Sequence, residues 1–208
     1  AYRTNRAFQL VLVVLGGTAL QNGPLWWASW HRYHHAHADR PGDPHSPTLS
    51  GLWHAHVGWI FDGQHGDPDL ANVKDLAAFP ELRWLDRHSY VPAAGYAIAC
   101  FAIAGSAGLI WGFAISSVAL VHATFLVNSV AHVWGSRRFE TADTSRNNAL
   151  IAVLTFGEGW HNNHHHCRTS ARQGFRWWEI DITYYSLALL ARLGLIWNLR
   201  QPPPRLMS

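Results

Sequence analysis

The sequence predicts an all-α integral membrane protein built on a transmembrane helical hairpin, and three observations carry that reading. Only 14% of the 208 residues are charged, against roughly 25% in soluble chains, while 49% are hydrophobic. Residues 91–133 contain no Asp, Glu, Lys or Arg, a run about twice the length that one bilayer crossing needs. Arg83 and Arg87 precede this run and Arg137 and Arg138 follow it, so two crossings return both pairs to one side, the cytoplasm by the positive-inside rule. Two buried helices of a soluble all-α protein are the alternative, which the length, adjacency and glycine content of the two halves disfavour.

The elements follow in chain order. Residues 7–20 (AFQLVLVVLGGTAL) are apolar but fall short of a span and stop at Gln21-Asn22-Gly23-Pro24, which predicts a buried or interfacial helix. Residues 31–80 are polar and rich in Gly, Pro and Asp (DRPGDPHSP, FDGQHGDPD), the pattern of short helices and turns in a cytoplasmic loop. Residues 91–111 make the first proposed span, and Gly112 opens the second, which reaches Val133. Residues 145–157 read as a short helix ending in a Gly-Glu-Gly break, and 183–199 as an amphipathic helix interrupted by Arg192. The tail QPPPRLMS is expected to be loose. No internal repeat is visible, and residues 1–208 read as a single domain. The chain opens with Ala1-Tyr2-Arg3 and its one methionine is Met207, so it reads as a fragment.

The net charge is +3 and the pI about 9.1, but the basic residues are 15 Arg and one Lys, Lys74, scattered without a block. This argues against a nucleic-acid partner. Cys100 lies in the apolar run and Cys167 follows a histidine cluster, so neither a disulfide scaffold nor a cysteine-based metal site is supported. Any metal chemistry runs on nitrogen, and 15 histidines stand ready for it.

His31, His34 and His35 in WHRYHHAHAD are spaced three and four apart, which places them on one helical face. His161, His164 and His165 in GEGWHNNHHH repeat the spacing, and Asn128 and His132 in NSVAH stand four apart at the end of the second span. All three faces then emerge on one side of a membrane. Imidazole suits zinc, copper, nickel and iron alike. Seven histidines exceed the ligands of one zinc and point to two metals side by side, the setting for oxygen chemistry. Glu158 and His161 also form the Glu-x-x-His pair of ferritin-like bundles, but such a site needs two copies of that pair plus two more glutamates, and the four glutamates present supply only one copy.

At these motifs the sequence resembles the membrane fatty acyl desaturases of the stearoyl-CoA and bacterial delta-9 type. HRYHHAHADRPGDPHSP looks like their second histidine box with its trailing Asp-Pro-His, and HVGWIF like the segment after it. NSVAHVWGSRRF matches their Asn-Ser-x-x-His element, GEGWHNNHHH the third box and WWEIDITYY the C-terminal stretch. The resemblance implies a mushroom-shaped helical protein whose cytoplasmic cap carries a histidine-rich di-iron site over an acyl tunnel. By the same resemblance, His31, His34, His35, His132, His161, His164 and His165 bind the two irons, and Asn128 contributes through water. Glu158, Asp39 and Asp143 are candidates to hydrogen-bond those imidazoles. Trp26, Trp27 and Trp30 line the tunnel or form an aromatic core or interface belt. His37, His45, His54, His56, His65, His88, His122 and His166 are expected in structural roles, with His45 and His56 inside matched segments.

The implied reaction is O2-dependent insertion of a cis double bond into a fatty acyl chain carried on CoA or in a lipid. Electrons come from a cytochrome b5-like protein, a ferredoxin or a rubredoxin. Rivals are a histidine-box lipid hydroxylase or ketolase, and a non-catalytic membrane metal-binding protein. Transporters, however, hold their ligands near the bilayer midplane, whereas these lie at span ends and in loops. Two departures stand out. No His-Arg-x-x-x-His box precedes His31, which leaves a truncated chain short of ligands and open to being inactive as given. Ser29-Trp30 replaces the Arg-Asp pair that helps hold CoA in the animal proteins.

Overall fold

The computed structural model describes residues 1–63 and 66–207, so His65 lies outside the described residues. The order is β1 (Arg3–Thr4), α1 (Arg6–Gly17), α2 (Pro24–His37), α3 (Pro47–Ser50), α4 (Leu52–His56), α5 (Lys74–Ala77), α6 (Pro80–Arg87) and α7 (Tyr90–Ala107). A π-helical stretch, Gly108–Ile115, leads into α8 (Ser116–Asn128); α9 (Ala149–Leu154), α10 (His161–His166), α11 (Ile182–Arg192) and β2 (Ile196–Trp197) complete the chain. Single 3-10 turns lie at Gly58–Ile60, Val130–His132 and Pro204–Leu206. The chain divides into two compact units.

One unit comprises Arg6–Ala36 and His65–His122. Its core gathers Leu25, Val73 and Leu82, with Val13, Leu76 and Phe79 packed around them. Proline at the start of α2 presets the helical φ, and the free N–H groups of Leu25 and Trp26 donate to the Asp86 carboxylate at 2.8 and 2.9 Å. Gly23 permits this approach, since a Cβ there would collide with Asp86. Further along α2, Arg32 makes a two-pronged pair with Asp75, both bonds 2.8 Å, and Asn72 donates to the Ser29 carbonyl at 3.1 Å. The helix that carries three of the histidines is therefore tied down at its start and along its outer side. No residue of α1 is buried, which corrects the buried half of the expectation for residues 7–20.

The apolar run Tyr90–His132 is long and apolar enough to cross a membrane. It is broken at Ala104 (φ −139°, ψ 21°) and Gly105 (φ 59°, ψ −142°), and the positive φ is one that glycine adopts without steric cost. There the chain folds back. The Tyr96 hydroxyl donates to the Gly112 carbonyl at 2.7 Å, whereas a straight helix would separate them by about 24 Å. Side chains on Gly108 or Gly112 would run into Cys100, so the small residues let the two arms meet. The reversal lies at 104–105 rather than at the expected 111–112. It leaves unequal arms, 90–103 covering about 21 Å and 106–128 about 34 Å.

The other unit comprises Ala1–Asn5, His37–Gln64 and Ala123–Ser208. Val127 and Ala131 pack with Ile151 of α9, whose first turn is capped by the Asn148 side chain accepting from Ile151 N–H at 3.1 Å. Phe156 and Gly157 then take positive φ, 57° and 130°, and end the helical course where the Gly-Glu-Gly break is expected. α11 stops at Arg192 instead of reaching residue 199, because the chain turns at Gly194 (φ 74°) to form β2. β2 pairs antiparallel with β1, Arg3 opposite Trp197 and Thr4 opposite Ile196, a small ladder absent from the all-α expectation. The tail is not loose: Arg138 donates to the Leu206 carbonyl at 2.8 Å, and Arg200 N–H to Ala1 O at 2.7 Å.

Candidate metal centre

In the unit holding His132 and α10, three imidazoles converge. One ring nitrogen from each of His132, His161 and His165 lies within 4.8 Å of the others, and all three residues are buried. The Nε2 atoms of His132 and His161 are 3.1 Å apart. The α10 spacing puts the His164 ring 5.9 Å from that of His161 and 5.8 Å from that of His165. Asn128 ends α8, half-buried, and the chain tightens into the 3-10 turn Val130–His132 before reaching His132.

Two carboxylates fix the ring protons. Asp39, held in a left-handed backbone conformation (φ 57°), accepts from His132 Nδ1 at 3.0 Å. It also accepts from Thr144 N–H and Oγ1, each 2.7 Å away, and from Ser46 Oγ at 2.6 Å. Asp143 accepts from His165 Nδ1 at 2.8 Å and from Ser145 N–H at 3.1 Å. Burial pushes both carboxyls up, but the bonds and charge from their histidines, aided by the neighbouring hydroxyls, hold both well below the ordinary carboxylate range. With Nδ1 of His132 and His165 donating to a carboxylate, Nε2 is the ring nitrogen through which each imidazole would bind a metal.

α10 has a second side. Asn162 and Asn163, between the histidines in sequence, are fully buried. Asn162 Oδ1 accepts from the backbone N–H groups of Arg138 and Phe139 at 2.9 and 2.7 Å. Asn163 Nδ2 donates to Glu179 at 2.9 Å and its Oδ1 accepts from Asn147 at 2.8 Å, while Glu179 also accepts from Phe175 N–H at 2.6 Å. This helix is thus clamped from behind to three other segments. A signal for this was present: asparagines at i+1 and i+2 of the His-x-x-His-His pattern fall on the opposite helical face. The His56–Ser129 pair carried no such signal. Ser129 Oγ donates to Phe125 O at 2.7 Å, so His56 Nδ1, 3.0 Å away, donates to it and secures the end of α8.

The unit holding α2 has its own pair. His31 and His35, one turn apart, bring their Nε2 atoms within 3.1 Å, with His34 beside His35 at 5.6 Å between ring centres. His34 and His35 are buried. A separation near 3.1 Å in each unit suits two nitrogens on one metal with bonds of about 2.1 Å. The donor set, imidazole nitrogens two of which are hydrogen-bonded to carboxylates, therefore fits a first-row transition metal.

Other expected roles differ. Glu158 accepts from Gln173 Nε2 at 2.9 Å rather than from an imidazole, and burial raises its pKa, with the Asp181 charge adding to the rise against the Gln173 bond. Trp26 and Trp30 direct their indole N–H groups at the Gly66 carbonyl, 3.1 and 3.5 Å away, and Trp27 is stacked on His31 at 4.5 Å. A groove of about 590 Å³ in the same unit is lined by Leu10, Val14, Trp84, Leu85, Val91 and Tyr96 among others, and by none of those three tryptophans. Of the remaining histidines, His88 bonds the Trp84 carbonyl at 2.9 Å, His166 stacks on Phe139 at 4.1 Å, and His54 lies 3.3 Å from the Pro44 carbonyl.

Residues 1–198 match the family model for fatty acid desaturase. The chain is 40% identical over 207 residues to the palmitoyl-monogalactosyldiacylglycerol delta-7 desaturase of Arabidopsis thaliana, covering 97% of this chain and 55% of that protein. It is 40% identical over 191 residues to the icosanoyl-CoA 5-desaturase of Limnanthes douglasii, covering 90% and 53%. To the sn-2 palmitoyl-lipid 9-desaturase of Nostoc sp. (strain 36) it is 37% identical over 210 residues, covering 99% and 73%. The chain thus spans little more than half the length of the two plant relatives. A family model matched along nearly the whole chain, together with relatives matched through every histidine motif, leads to one conclusion: the chain belongs to the fatty acid desaturase family.

Proposed function

We propose that this chain is the catalytic core of an O2-dependent, di-iron fatty acyl desaturase that introduces a cis double bond into an acyl chain carried on CoA or in a membrane lipid. The observation that carries the reading is the pair of carboxylate-anchored imidazoles, His132 on Asp39 and His165 on Asp143, converging with His161. A hydrocarbon methylene offers no acidic proton, so acid–base residues alone cannot remove its hydrogens. Two irons held by these histidines would activate dioxygen, the oxidant, with one O2, two electrons and two protons consumed and two waters released for each double bond.

The ligand set is His31, His34 and His35 from α2 with His132, His161, His164 and His165, and Asn128 contributes through water. Seven imidazoles are more than one metal accepts, which supports a pair of irons. Asp39 and Asp143 keep the Nδ1 proton in place so that Nε2 is the nitrogen offered to the metal. Apolar walls around the acyl chain exclude water and set which carbons reach the metals. The apolar hairpin lies in the membrane, its ends and the centre on the cytoplasmic face, and the electrons come from a small redox protein. The names of the relatives include both lipid-linked and CoA-linked substrates, and both carriers are proposed for this chain.

The test uses the full-length protein in a host lacking its own unsaturation, with iron content and product mass both measured. The expected result is about two irons per chain and a product short of two hydrogens, both lost in His164→Ala. A product that has gained oxygen instead would make the protein a hydroxylase. Iron binding without product in the presence of reductant would leave a metal-binding protein.

A further inference from the structure

Outside the apolar hairpin the unit containing α9 and α11 exposes a second apolar face. The buried side of α9 is Ile151 and Ala152, and Ile151 packs against Val127 and Ala131 at the end of α8. Its other side turns outward: Val153 is 67% exposed, and Leu150, Leu154 and the following Phe156 are exposed with it. The segment after α10 abuts this edge, for Thr183 N–H donates to the Phe156 carbonyl at 2.9 Å and the Trp160 indole to the Ile180 carbonyl at 2.8 Å. That segment adds Trp177, 84% exposed, with Trp178 and Ile180. An exposed apolar patch of this kind marks an interaction surface.

Three features choose its occupant. The helix that carries the patch packs its buried side on the end of the apolar helix α8, so the patch lies near the segment proposed to leave the bilayer. Tryptophans dominate its rim, and tryptophan concentrates at the headgroup level of membranes because its ring is apolar and its N–H polar. The charge is one-sided: the Arg176 guanidinium lies 4.9 Å over the Trp178 ring, whereas Glu179 and Asp181 are buried and occupied by backbone N–H groups. A cation held over an exposed indole, with the neighbouring acids turned inward, suits a phosphate-bearing lipid surface.

We propose that the face formed by α9 and residues 176–182 seats in the headgroup and acyl boundary of the phospholipid membrane. It makes a monotopic contact additional to the hairpin and fixes the tilt of the histidine-bearing unit against the lipid. The proposal rests on the membrane reading above.

The test is site-directed spin labelling of full-length protein in phospholipid nanodiscs, on a background with Cys100→Ser and Cys167→Ser. Labels go at Val153→Cys and Trp177→Cys, with Ile103→Cys in the hairpin and Thr169→Cys on an exposed polar loop as references. The expected result is a several-fold excess of oxygen over water-soluble nickel accessibility at 153 and 177, compared with 169, and a larger excess at 103. If 153 and 177 behave like 169 while 103 reports lipid, the proposal is overturned and the membrane reading stands. If 103 also reports water, both fall. Low accessibility to both reagents at 153 and 177 would mean that protein covers this face, which also overturns the proposal.

Discussion

What holds Nδ1 differs from one histidine of this chain to the next. His132 and His165 have a carboxylate on Nδ1, while His88 has a backbone carbonyl and a tryptophan face. Asp143→Asn is expected to weaken iron binding by about 10–100-fold, because the amide can present a nitrogen to the ring and no longer secures the tautomer. Chelator competition on the full-length protein measures this, and Asp39→Asn should behave alike through His132. Since both carboxyls sit well below their ordinary 3.8, their anchoring stays intact from neutral pH down past that value and is lost only as pH falls through the lowered one. Glu158 has the opposite sign. Its raised pKa favours folding in acid, and the advantage fades as pH climbs above the ordinary 4.5 and through the raised value. Glu158→Gln should therefore raise the melting temperature at pH 8, do so progressively less towards pH 4, and leave iron content unchanged. The spacing of the histidines was legible because helical periodicity sets it. The partner of Glu158 was not legible: Gln173 lies fifteen residues away in the chain, and no local spacing announces that contact.

At the scale of elements, α10 shows how six residues can present ligands with precision. Neither a long helix nor an apolar stripe holds it; buried amides on its reverse side do. Asn163→Ala would leave buried groups of Asn147 and Glu179 without this partner, and the expected cost is about 1–3 kcal/mol in chemical unfolding followed in detergent. Asn162→Ala should cost a similar amount through the backbone N–H groups of Arg138 and Phe139. The hairpin was legible as an element but its turn was not. A run without charges offers no marker for a reversal, and four glycines, Gly95, Gly105, Gly108 and Gly112, compete for the position. Only the backbone shows that Gly105 takes the turn while Gly108 and Gly112 serve close packing.

For the whole molecule, motif reading located the family, whereas the pairing of the chain ends was invisible because two-residue strands have no periodicity to detect. That pairing matters to stability through one side chain. Ile196 is almost wholly buried beneath β2 while neighbouring Trp197 is exposed, so Ile196→Ala should cost about 2–4 kcal/mol in equilibrium unfolding and Trp197→Ala much less. The same ladder brings Ala1 within hydrogen-bonding distance of Arg200. Residues 1 and 200 thus share one edge of this unit, so a fluorescent probe attached at either would report the same local fraying before the rest of the chain unfolds.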